Sequence, residues 1–84
     1  MPHYRGLLMT EVLSISATRV PATDIRVGDK VVVFGMVYCT VEWVRQWSDG
    51  GVYLAGIRNT GEPHVSNLSA GAKIPRIFDL KEQP

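Results

Sequence analysis

Apolar residues concentrate in residues 31–57, in three runs with almost nothing between them. Val31, Val32, Val33 and Phe34 form the first, residues 37–47 the second and residues 52–57 the third. Short glycine-containing breaks separate the runs, a spacing that predicts an antiparallel β-meander instead of helices. The first break, Gly35-Met36, fits a two-residue type II′ turn, which takes glycine at its first position. Ser48-Asp49-Gly50-Gly51 closes the next hairpin, and Asn59-Thr60-Gly61-Glu62 is a turn of similar chemistry.

The flanks read as further strands. Over residues 9–20, Met9, Leu13, Ile15 and Ala17 fall on one face, with Glu11 the exception. Thr10, Val12, Ser14, Ser16 and Thr18 fall on the other, which predicts a strand ended by Pro21. Thr23 or Asp24 is placed to cap a single helical turn, with Ile25 and Val27 tucked under the sheet and Gly28 supplying a tight bend. Pro63 opens an edge-like segment that runs to Leu68. Residues 73–78 predict the closing strand, which Pro75 confines to an edge or a bulge. Residues 1–8 are expected as a flexible tail, with Met9 an alternative start, and residues 79–84 as a polar tail that frays. Six short strands over residues 9–78 predict a closed or half-closed barrel, which hides edges that would otherwise aggregate.

Composition narrows the function. Eighty-four residues make one small domain, able to hide only roughly 60–70% of the surface its unfolded chain exposes. A second copy or a partner would widen that thin margin. The apolar share of 45% and a mean hydropathy of +0.03 fit a globular protein. Nine Lys and Arg against eight Asp and Glu give a net charge of +1, which weakens a dedicated nucleic-acid or membrane-surface role. No apolar stretch approaches the ~18 residues of a membrane span, and no signal-peptide pattern follows Arg5. The single cysteine, Cys39, excludes an internal disulfide and points to a reducing, cytoplasmic setting.

The phrase Asp24-Ile25-Arg26-Val27-Gly28-Asp29-Lys30-Val31, followed by the Gly35 hairpin and by Thr40-Val41 with Val44, resembles the start of a small SH3-like β-barrel. It is similar to small proteins of actinobacterial bacteriophages. The resemblance covers residues 20–78 and implies an all-β barrel of five or six strands, with little said about activity. It lacks the acidic, tyrosine-containing loop of signalling SH3 domains and the glycine-spaced motif of ribosome-associated barrels. The Asp-Ile-x-x-Gly-Asp phrase is also similar to a segment of inteins, but those need an N-terminal nucleophile where this chain has Met1.

Four aromatic residues, Tyr38, Trp43, Trp47 and Tyr53, crowd onto the central hairpin, and register decides which face they show. A three-residue loop, Ser48-Asp49-Gly50, pairs Trp47 with Gly51, Arg45 with Tyr53 and Trp43 with Ala55. That register turns Trp43, Arg45, Trp47 and Tyr53 outward over Val44, Val52 and Leu54, and it requires a bulge near Glu42-Trp43. A two- or four-residue loop instead sends both tryptophans inward. It would then bury the Arg45 guanidinium, at a cost of several kcal/mol. Both registers remain open at the level of sequence.

An outward set of Trp43, Arg45, Trp47 and Tyr53, with Arg58 alongside, has the composition of a protein-binding hot spot or a homodimer face. The same residues could stack single-stranded bases and contact phosphates, the competing nucleic-acid expectation. No catalytic, metal or cofactor signature competes with these. Cys39 and His64 form no recognisable nucleophile–base pair, a mid-strand cysteine being a small core hydrophobe. His3, His64 and Cys39 lack metal-ligand spacing. The carboxylates are scattered at turns, and Gly50-Gly51 has no following helix or lysine to make a phosphate loop. Arg58, Lys73 and Arg76 form one modest basic cluster that Arg45 could extend into a strip. The sequence therefore predicts a non-enzymatic interaction module without cofactor.

Overall fold

A computed structural model describes residues 11–83; the expectations for residues 1–8, Met9, His3 and Pro84 lie outside it. The chain is all-β. Strands β1 (Glu11–Pro21), β2 (Lys30–Phe34), β3 (Val37–Gln46), β4 (Val52–Arg58), β5 (Pro63–Leu68) and β6 (Lys73–Gln83) form one antiparallel sheet in the order β1-β6-β2-β3-β4-β5. A single 3₁₀ turn, Ala22–Asp24, follows β1. The sheet is open: β1 and β5 are its two edges and do not pair with each other.

The meander forms where the apolar runs place it. Gly35 has φ 51° while no non-glycine residue among those described has positive φ, the combination a type II′ turn requires, and Phe34 pairs with Val37 across it. Inward positions of β2, β3, β4 and β6 supply the core of Val31, Cys39, Val41, Leu54 and Ile74, with Ile25 from the turn segment. Val20, Val33, Val44 and Leu68 pack against it. Gly56 lets β3 and β4 approach beside the β3 bulge. A Cβ there would collide with the Thr40 carbonyl oxygen and sit 2.8 Å from Cys39 Sγ.

Residues 25–29 brace that bulge from the other side. The Val41 N–H donates to the Asp29 carbonyl and the Gly28 N–H to the Val41 carbonyl, both at 2.8 Å. No side chain caps the 3₁₀ turn; instead the Asp29 carboxylate accepts from the Arg26 N–H at 2.9 Å. Ile25 is fully buried as expected, but Val27 is 65% exposed because Gly28, at φ 96°, swings the chain away from the core.

The flanks depart most from the sequence reading. β6 does not stop at Phe78: it continues to Gln83, pairing Leu80 with Ile15, Lys81 with Ser14 and Glu82 with Val12. The segment expected to fray is held by this ladder and by the Tyr38 hydroxyl, which donates to the Glu82 carboxylate. Tyr38 and Cys39 are adjacent and both buried, so both faces of β3 are covered there. Two irregularities, at Val12/Ser14 and Ser16/Ala17, break the single apolar face expected for β1 and leave Leu13 54% exposed.

Nor is β6 an edge strand, since Arg76 pairs with Thr18 on one side and Val31 on the other. The Ala22 N–H donates to the Ala72 carbonyl, so ladder alternation turns the Pro75 nitrogen toward β2. Proline has no N–H to give there, and the β2–β6 pairing is limited to Val31 with Arg76. The long β1–β6 ribbon stretches the molecule to 48 × 23 × 18 Å. Its radius of gyration of 13.8 Å exceeds the about 12 Å usual for a compact chain this long.

Candidate functional site

The loop after Trp47 sets the site. Trp47 N–H donates to the Gly51 carbonyl at 2.8 Å and Gly50 N–H to the Trp47 carbonyl at 3.0 Å, with Gly50 at φ 92°. This is the three-residue loop, so Gln46 pairs with Val52, Arg45 with Tyr53, Val44 with Leu54 and Trp43 with Ala55. A register shift lies between Val41 and Trp43, with Glu42 as the extra residue. The bulge lets Val41 and Val44, at odd spacing, both face inward. Val52 and Leu54 are fully buried, while Trp43 and Trp47 are 48% and 41% exposed.

On the outer face these side chains meet. The Trp43 and Tyr53 rings stand edge to face, 5.3 Å apart at 76°. The Arg45 guanidinium lies 4.9 Å from the Trp47 ring centre, in cation–π contact. Trp43, Trp47, Tyr53 and Ala55 line an open groove of about 380 Å³. The apolar ground continues across Ala55 to its β5 partner Val65, which is exposed. Arg45 is the one cation among these residues.

Beyond Val65 lies a bare sheet edge. The Arg58 N–H donates to the Glu62 carbonyl, so alternation along the β4–β5 ladder points the backbone groups of Val65 and Asn67 away from β4. Among the described residues no further strand meets them. β5 carries no carboxylate, lysine, arginine or bulge, the usual protections of an edge; Pro63 at its start is the only one.

Arg58 does not join this face. It pairs with Cys39, and its side chain turns to the other side, 5.6 Å from the Phe34 ring centre. There it donates to His64 Nδ1 at 3.2 Å and meets Glu62 at 3.5 Å. Arg76 does not extend the face either: it lies 3.8 Å from the Asp29 carboxylate, on the β1–β6 side, in keeping with the ordinary solvated surface that the sequence favours over a basic strip. Burial pushes the Cys39 thiol pKa up, as does Glu42, and His64 bonds to Arg58 and Ser66 instead of Cys39. Among the described residues no cluster of His, Cys, Asp and Glu side chains is arranged to hold a metal ion.

The Arg58–His64–Ser66 chain is the feature that sequence reading missed. Alternation along β5 puts His64, Ser66 and Leu68 on one face, which was the available signal. What could not be read is that Arg58 folds over that face.

Fold and site together define an open, six-stranded antiparallel sheet that displays an aromatic groove beside its edge strand β5. Comparison with known proteins adds nothing to that class: no family model, curated protein or solved structure matches the chain.

Proposed function

We propose that the protein is a non-enzymatic interaction module whose groove and β5 edge receive an extended, apolar segment of a partner protein. One observation carries this: an apolar groove lined by Trp43, Trp47, Tyr53 and Ala55 runs, through Val65, into a strand edge whose outward N–H and C=O groups meet no other strand among the described residues. Strand addition uses those two elements together, main-chain bonds for affinity and a side-chain pocket for selectivity. Trp, Tyr and Arg are also the residues that dominate binding hot spots. Within this proposal the open sheet is a half-closed SH3-like barrel, and the chain a cytoplasmic accessory protein like those of actinobacterial phages. The buried, unpaired Cys39 is in keeping with a reducing compartment.

The nucleic-acid reading has less support, since the face carries Arg45 alone and Arg58 points elsewhere. Selection from a random peptide library tests the proposal. Peptides retained by the native chain and not by Trp43→Ala should share an extended apolar core, and their affinity should change little between low and high salt. Oligonucleotide binding that falls steeply with salt would replace this reading with the nucleic-acid one. A dimer in sedimentation that Trp43→Ala dissociates would show the groove already filled by a second copy.

A further inference from the structure

A second cavity, on the opposite side of β5, lies at the open seam of the sheet. It has a volume of about 360 Å³ and is lined by Val31, Val32, Val33, Leu68, Ile74 and Pro75, with His64 and Ser66 as its polar members. Such a volume and lining sit at the small end of the range for sites that take small molecules.

Hydrogen bonding fixes the chemistry of the polar members. The Arg58 guanidinium can only donate, and its Nε and Nη2 both lie 3.2 Å from His64 Nδ1. Nδ1 is therefore an acceptor. Burial and the Arg58 charge both lower the His64 pKa, so the ring is neutral and its proton sits on Nε2. Nε2 lies 2.8 Å from Ser66 Oγ and donates to it. This is the reverse of a serine nucleophile and its base, in which the imidazole accepts from the hydroxyl. Ser66 keeps its own hydroxyl proton, for which no acceptor stands among its described contacts.

We propose that this seam cavity binds a small, predominantly apolar, uncharged molecule through one acceptor oxygen, such as a ketone carbonyl, to which Ser66 donates. An apolar body matches the valine, leucine and isoleucine walls. A neutral acceptor matches a lining with no formal charge.

Cyclohexanone and cyclohexane, nearly equal in shape, separate the hydrogen bond from the burial. Methyl resonances of Val31, Leu68 and Ile74 should shift saturably with the ketone, and it should bind more tightly than the hydrocarbon. Ser66→Ala should weaken the ketone about two- to tenfold, the worth of one neutral hydrogen bond, and leave cyclohexane unchanged. Val33→Phe, which fills the cavity from β2, should abolish both. The proposal is overturned if neither probe moves those methyls, if shifts appear only at Trp43 and Tyr53, or if Ser66→Ala binds the ketone as the native chain does.

Discussion

Gly56 bears most directly on the fold at the level of single residues. The Thr40 carbonyl that a Cβ would strike is backbone, already fixed in the β3–β4 ladder, so no side-chain rotation relieves the clash. Gly56→Ala should cost about 3 kcal/mol or more in urea unfolding, at the upper end for overpacking. Tyr38 sets an alkaline limit. Burial and the neighbouring Glu82 carboxylate push its pKa up from 10.0 to about 12. Between those values the unfolded chain loses the phenolic proton and the fold keeps it, so stability falls as pH rises, by on the order of 2 kcal/mol. Tyr38→Phe should flatten that slope in unfolding curves taken across the window. His64 acts at the acid end. Its folded pKa is lowered, so its contribution is present above about 6.5 and is lost as the pH drops, when the unfolded chain takes up a proton first. His64→Gln should reduce the difference in melting temperature between pH 7 and pH 5.

At the scale of elements, the β3–β4 hairpin separates core from surface. Leu54→Ala should cost about 2–5 kcal/mol, as a fully buried leucine does, and Trp47→Ala, truncating an exposed ring, about 1 kcal/mol or less. Gly50→Ala, forced into positive φ and 3.2 Å from the Ala70 Cβ, should lose about 1–2 kcal/mol and loosen the loop that fixes the register. This hairpin was legible in sequence down to a choice of two registers, which the loop after Trp47 decides. Gly50 at positive φ closes the three-residue loop that the structure has, and in that register the odd spacing of Val41 and Val44 demands the bulge. The β1–β6 ribbon was not. Its partners lie more than fifty residues apart, and seventy for Val12 and Glu82, and two irregularities scramble the alternation of β1. A polar end such as Asp79 to Gln83 reads as loose until Tyr38 and β1 are brought to it. Arg58 was misplaced for a related reason: β4 parity puts it on the inner side, where His64 and Phe34, from two other strands, hold it.

On the scale of the whole molecule, an open sheet leaves two unlike surfaces around β5. Outside lie the indoles of Trp43 and Trp47, the Tyr53 ring and Val65; inside lies the seam cavity with Ser66 and His64. The chain is near neutral, and the proposed contact at Trp43, Trp47 and Tyr53 is short-range and apolar, with little long-range steering. Binding at the groove should therefore depend on truncation of its rings far more than on salt. The most direct measurement is the affinity for Trp43→Ala of a peptide selected on the native chain alone, titrated beside the native chain with urea unfolding of both. The expected result is a loss of about 2 kcal/mol or more in binding, with stability lowered by about 1 kcal/mol or less. Unchanged affinity, or a loss of stability as large as that of Leu54→Ala, would contradict a surface role for the aromatic groove.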